Sequence, residues 1–156
     1  MSGDRPPDDV LAVVYAQALK AFPAECCGFL VGPRGTEAVT RARPCANAQE
    51  AGEHPTAADR GAETAYVIAG DDLLSLARSF DGPEPAKVIY HSHPNGRAYF
   101  SATDQAVAAD PWGEGPMYAC RQLVVGVHAE RAVEAALFEW QGGRFVEVDR
   151  WKVGSP

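Results

Sequence analysis

The sequence predicts an α/β fold: a single domain in which one mixed β-sheet is flanked by helices. Two observations carry that expectation. Short apolar runs such as 87–91 and 123–127, rich in branched and aromatic residues, alternate with stretches of helical periodicity. The 156 residues, 46% hydrophobic, suit one domain that buries roughly two-thirds of the surface its unfolded chain exposes.

Taken in order, Val10, Val14, Ala18 and Ala21 recur at helical spacing, so a first helix starts near Asp8 or Asp9 and stops at Pro23. Residues 28–31 and 38–43 read as two strands around the turn Gly32-Pro33-Arg34-Gly35, and 64–68 as a third. Between them, 44–63 is rich in Ala, Glu and Gly and reads as a mobile loop, either a disordered insertion or a cover for substrate. Asp71 or Asp72 is expected to cap a second helix that runs through Phe80. The run Lys87-Val88-Ile89-Tyr90-His91 is a strand that Pro94 should end, because proline cannot donate to a sheet ladder, and Asn95-Gly96 turns the chain. Ser101, followed three residues later by Asp104 and then by Ala106, Val107, Ala108 and Ala109, marks a helix start with Ser101 as N-cap. Residues 123–127 form a buried strand, and 133–140 pairs with 144–148 as a hairpin across Gln141-Gly142-Gly143. The organisation expected is a flexible 1–9, a domain over 10–150 and a short tail over 151–156.

Composition narrows the function. A net charge of −7 with only 14 scattered Lys and Arg argues against nucleic acid as the main partner. Arg41 and Arg43 are the nearest approach to a basic patch, and alternating arginines on a strand are usually a solvated face. No apolar run approaches the roughly 20 residues of a membrane span, and the polar start lacks a secretory core, so no membrane partner and a cytoplasmic location are expected. The cysteines Cys26, Cys27, Cys45 and Cys120 form no Cys-x-x-Cys pair and read as reduced, with a redox role for Cys45 or Cys120 as the minor alternative. His54 and His128 lack partners at ligand spacing and are assigned to the surface.

The chemistry is concentrated in His91-Ser92-His93-Pro94 and Ser101-Ala102-Thr103-Asp104. Strand alternation puts both imidazoles on one side of the sheet, and a first helical turn holds the Asp104 carboxylate where it can reach back to the strand end. Three protein ligands leave a fourth position for water, as catalytic rather than structural zinc sites do. Each piece alone has an ordinary explanation: a plain capping box, and histidines at a strand end. Together they describe one metal site, whereas the ordinary explanation needs several coincidences.

These segments resemble the signature of the JAMM (JAB/MPN-plus) metallopeptidase family, and Pro23-Ala24-Glu25-Cys26-Cys27-Gly28-Phe29-Leu30-Val31-Gly32 resembles the family's segment in which an acid, Cys-Gly and an apolar strand follow the first helix. The likeness extends in element order over roughly 10–148 and implies the JAB/MPN, cytidine-deaminase-like architecture. It also implies that His91, His93 and Asp104 bind one zinc per chain, that Glu25 is the general acid/base, and that Ser101 helps hold the oxyanion. A zinc ion there would acidify water from about 15.7 to about 7, and Glu25 would pass the proton to the departing amine. One departure is Arg97-Ala98-Tyr99-Phe100, where relatives often carry prolines.

Compact members of that family resemble bacterial enzymes that trim ubiquitin-like sulfur-carrier proteins. The resemblance therefore implies hydrolysis after a carrier's C-terminal Gly-Gly, removing a tail or a cysteine. The alternative is a non-catalytic MPN-type interaction scaffold, weakened by the presence of all five site residues. A nucleobase deaminase would need His-x-Glu and Pro-Cys-x-x-Cys, which are missing. A deubiquitinase proper would usually need insertions that this chain can hardly contain. The oligomeric state is not legible.

Overall fold

The computed structural model describes residues 5–47 and 68–153. In chain order the elements are α1 (Asp8–Ala21), β1 (Cys27–Val31), β2 (Arg41–Cys45), α2 (Gly70–Ser79), β3 (Ala86–His93), α3 (Ala102–Ala108), β4 (Arg121–Val127), β5 (Ala132–Gln141) and β6 (Arg144–Lys152). The strands form a six-stranded sheet in the order β2-β1-β3-β4-β5-β6. Among the described residues only the β3–β4 pair is parallel, the others antiparallel. The mixed sheet expected from the sequence is therefore the observed one, and α3 lies in the crossover between its two parallel strands.

Alternation along the central strands divides the core into two layers. Leu30, Val88, Tyr90, Leu123 and Val125 face α1, where Val10, Leu11, Val14 and Ala18 complete the cluster. Phe29, Val31 and Ile89 face the other way against Leu76 of α2. Val124, Ala136, Phe138 and Phe145 pack with Ala108 of α3. Each fully buried Leu, Val or Phe in these layers contributes about 1.5–3 kcal/mol relative to exposure. Among the described residues no helix is long and apolar enough to cross a membrane.

Several boundaries differ from the sequence reading. The second strand occupies Arg41–Cys45 rather than 38–43. Its ladder opens with Arg41 opposite Val31, because the chain first passes so close to Gly32 that a β-carbon there would overlap the Ala38 carbonyl. Pro44 is tolerated on this strand, the outermost among the described residues, where a missing N–H costs no ladder bond. Neither Asp71 nor Asp72 is the N-cap of α2. Ala69 holds that position, and both acids lie in the first turn, where they complement the helix dipole. Asp72 instead accepts from the Ala46 N–H at 2.9 Å. The last hairpin is longer than expected, because β5 offers a full partner as far as Glu134 opposite Lys152, and Trp151 is buried against α1 rather than lying in a tail. Arg5 lies over the Trp151 ring, 4.4 Å from its centre. The expected strand 64–68 apart from Ile68, most of the expected loop 44–63, and His54 fall outside the described residues.

One glycine carries a sharp expectation. A β-carbon on Gly28 would lie 2.6 Å from the Arg43 carbonyl and closer still to the Tyr90 hydroxyl. Tyr90 is completely buried. Its hydroxyl donates to Gln17, whose amide in turn donates to the Cys27 and Cys45 carbonyls, at 2.9 and 3.3 Å. Neither neighbour can give way cheaply, so Gly28→Ala is expected to cost about 1–3 kcal/mol, the usual range for overpacking. A urea midpoint within error of the native value would refute this.

Candidate metal centre

Strand β3 ends at His93, with Pro94 next in the chain. His91 and His93 project from the same face, at 0% and 5% exposure. Their rings meet edge to face with centroids 4.9 Å apart. Ser101 caps α3: its hydroxyl accepts from the Asp104 N–H at 3.0 Å, and Asp104 Oδ2 accepts from the Ser101 N–H at 2.9 Å. This reciprocal cap is the box read from the sequence, and it fixes the direction in which Asp104 points. The same Oδ2 lies 3.2 Å from Nε2 of His91 and 3.2 Å from Nε2 of His93, and the two nitrogens are themselves 3.2 Å apart.

Glu25 arrives from the far side of the chain. It precedes β1, and its neighbour Cys26 is stitched to β3 between the two histidines: Cys26 N–H donates to Ser92 Oγ at 2.8 Å, and Ser92 N–H returns to the Cys26 carbonyl at 3.1 Å. Asn47 donates to the Glu25 carbonyl at 2.9 Å. The Glu25 side chain is buried, and one of its oxygens lies with a ring nitrogen of each of His91 and His93 in a group whose atoms are all within 4.8 Å of one another. All four residues that were singled out for zinc chemistry thus converge, with Ser101 beside them at the head of α3.

The protons show what this cluster lacks. Nδ1 of His93 lies 3.2 Å from the Arg97 carbonyl. A carbonyl only accepts, so Nδ1 carries the proton and Nε2 presents a bare lone pair. Burial lowers the His91 pKa despite the neighbouring carboxylate, which keeps its imidazole neutral with one proton to give. Burial would raise the Asp104 carboxyl, but adjacent His91 and the hydrogen bond from the Ser101 backbone outweigh it and hold the group well below the usual carboxylate range. At most one proton is therefore available among three electron-rich atoms set at equal separations. A cation satisfies all three at once. A tetrahedron with an edge of 3.2 Å places its corners about 2.0 Å from the centre, which is the usual zinc distance to imidazole nitrogen and carboxylate oxygen. The donor set and its spacing fit zinc.

The chain matches the Prok-JAB family, described as prokaryotic homologues of the JAB domain, over residues 7–139. It belongs to that family. Among relatives, a CysO-cysteine peptidase of Mycobacterium tuberculosis is 33% identical over 104 residues, 66% of this chain and 64% of that protein. The chain thus aligns with just under two-thirds of that relative's length. A desampylase of Haloferax volcanii is 30% identical over 105 residues, 67% of this chain and 68% of its own. The fold of this JAB-family chain also recurs in solution structures at 22% identity. A protein from Desulfitobacterium hafniense superposes with a TM-score of 0.62 over 91% of this chain and 87% of its own. One from Salinibacter ruber reaches 0.60 over 93% and 88%.

Two sets of residues near the centre had no sequence signal. Ser92, between the histidines, is the buried hydroxyl that ties Glu25's segment to β3. Residues 97–100, noted only as a departure from the family's pattern, supply the Arg97 carbonyl together with the Tyr99 ring, 4.6 Å from His93, and the Phe100 ring, 6.2 Å from His91. His128 is exposed and lies against Gly96. The four cysteines are free. Burial pushes Cys26 up to about 11, Cys45 and Cys120 up to about 12, and Cys27 up as well, so none is a ready thiolate.

Acid should weaken the metal-free protein. The unfolded chain protonates His91 near pH 6.5, the folded chain only at lower pH. Between these values the unfolded state holds more protons, so the stability His91 contributes is complete above about 6.5 and is lost as pH falls. Asp104 acts with the same sign lower down, below about 3.9. Urea midpoints measured with a chelator are expected to fall between pH 7.5 and 5.5; a flat profile would mean that His91 titrates alike in both states.

Proposed function

We propose that this chain is a zinc-dependent peptidase or isopeptidase that hydrolyses the bond after the C-terminal Gly-Gly of a ubiquitin-like sulfur-carrier protein, releasing a tail or a cysteine. The observation that carries the reading is the triangle of His91 Nε2, His93 Nε2 and Asp104 Oδ2, 3.2 Å on each side and short of protons. The names of the two relatives, a CysO-cysteine peptidase and a desampylase, support the reaction class.

In this reading His91, His93 and Asp104 hold one zinc per chain. Zinc in such a site supplies Lewis acidity and brings the pKa of water from about 15.7 to about 7. Glu25, whose oxygen lies within 4.8 Å of a ring nitrogen of each histidine, takes the proton of the attacking water and returns it to the departing amine, which would otherwise be a poor leaving group. Ser101 uses its hydroxyl oxygen to accept from Asp104 N–H, so its own proton remains available to the developing oxyanion. Glycines at the scissile end suit a buried centre, since a residue without a side chain permits close backbone approach. The free thiols support a reducing, cytoplasmic setting.

The test is mass spectrometry of carrier proteins extended beyond Gly-Gly after incubation with the chain, paired with metal analysis. Cleavage after the second glycine is expected, abolished by a chelator and restored by zinc. A native chain that takes up no zinc and cleaves nothing would instead favour the interaction scaffold.

A further inference from the structure

We propose that Glu134 and Arg150, on the β5–β6 hairpin, are positioning residues for the histidine pair and act through the backbone of residues 97–100; the inference rests on the zinc reading above. Those four residues touch both histidines. The Arg97 carbonyl receives the Nδ1 proton of His93 at 3.2 Å, and Tyr99 and Phe100 pack their rings on His93 and His91. A metal-binding histidine depends on such a partner, because the hydrogen bond at one nitrogen selects the tautomer and orients the lone pair at the other.

The loop is gripped at one residue. Ala98 is 1% exposed, and both of its backbone groups are held by charged side chains. Its N–H donates to Glu134 Oε2 at 2.8 Å, and its carbonyl accepts from Arg150 Nη2 at 2.6 Å. Arg150 Nη1 donates to the same Glu134 oxygen at 2.9 Å, and Glu147 accepts from the guanidinium at 2.8 Å, so the fork is fixed on three sides. Charge-assisted bonds of this kind are about twice as strong as neutral ones. Beneath the loop, Gly126 of β4 is the register partner of His93, and a β-carbon there would lie 2.5 Å from the Arg97 nitrogen. The loop therefore rests directly on the sheet and is pinned from the side by Glu134 and Arg150, which leaves the Arg97 carbonyl little freedom relative to His93.

A hairpin ion pair that served only stability would not affect the metal, and this separates the two roles. Zinc affinity of the full chain, measured by competition with a chromophoric chelator, is expected to weaken about ten-fold in Glu134→Ala and in Arg150→Ala, the low end of the range for outer-shell partners. The absorption band of the cobalt-substituted protein should shift with it. Glu134→Gln keeps an acceptor for the Ala98 N–H and is expected to recover affinity to within about threefold of native. Arg121→Ala removes a similar pair with Glu139, 3.0 Å across β4 and β5 at the opposite end of the sheet, and should leave zinc affinity unchanged. Native-like affinity in both alanine variants overturns the proposal, as does an equal loss in Arg121→Ala. Should the alanine variants not fold, Arg150→Lys keeps the charge without the fork, and native affinity in that protein overturns it too. A native chain that binds no zinc refutes the zinc reading itself.

Discussion

Glu25→Gln is expected to lower turnover of a tail-extended carrier by about 10²–10⁴-fold, the usual contribution of general acid–base catalysis, while zinc stays near one per chain. The substitution is nearly isosteric, so the buried position is still filled, and the Asn47 bond to the Glu25 carbonyl and the Cys26–Ser92 stitch, which involve backbone atoms on that segment, are untouched. What is lost is the ability to accept a proton from water and return it to the amine. Metal content and turnover, measured on the same preparation, separate the two functions. Equal turnover by native and variant chains would remove Glu25 from the mechanism.

Asp104→Asn should have the opposite signature: zinc affinity falls by more than about 100-fold, beyond what outer partners usually cost, and activity goes with it. His91 is neutral and His93 presents a bare lone pair, so Asp104 carries the negative charge of the triangle. An asparagine can still accept from the Ser101 N–H, which preserves the cap worth about 1 kcal/mol to α3 and keeps the metal-free protein folded. Reading the two variants together tests the assignment of roles. Glu25 also lies in a group with both histidines, so a ligand set of Glu25, His91 and His93 makes the reverse prediction, with zinc lost in Glu25→Gln and kept in Asp104→Asn. The 3.2 Å spacing of the Asp104 oxygen from both nitrogens favours the first pattern.

The parts of the site legible in the sequence are those fixed by neighbours along the chain. A capping box is an i to i+3 interaction, so Ser101 and Asp104 announced both the helix start and the direction of the carboxylate. Period-two alternation put His91 and His93 on one face, and Pro94 marked where β3 stops. The same reasoning failed where a distant segment set the outcome. Asp71 and Asp72 looked like caps, yet Ala69 holds the position and Asp72 accepts from Ala46, a partner 26 residues away. The second strand slid to Arg41–Cys45 because its register is set by β1.

By itself, then, the sequence determined the class of fold and the local geometry of the strand end and the capped helix. Only the tertiary structure decided that Glu25 is drawn alongside by the Cys26–Ser92 pairing 66 residues apart, and that Ala98 is pinned from β5 and β6 while Nδ1 of His93 meets the Arg97 carbonyl and Nε2 faces Asp104 and His91. The division has a physical cause. Short-range preferences are written into adjacent residues, whereas a triangle of donors 3.2 Å on a side is set by how close-packed layers bring separate stretches of backbone together, and that packing is a property of the whole chain.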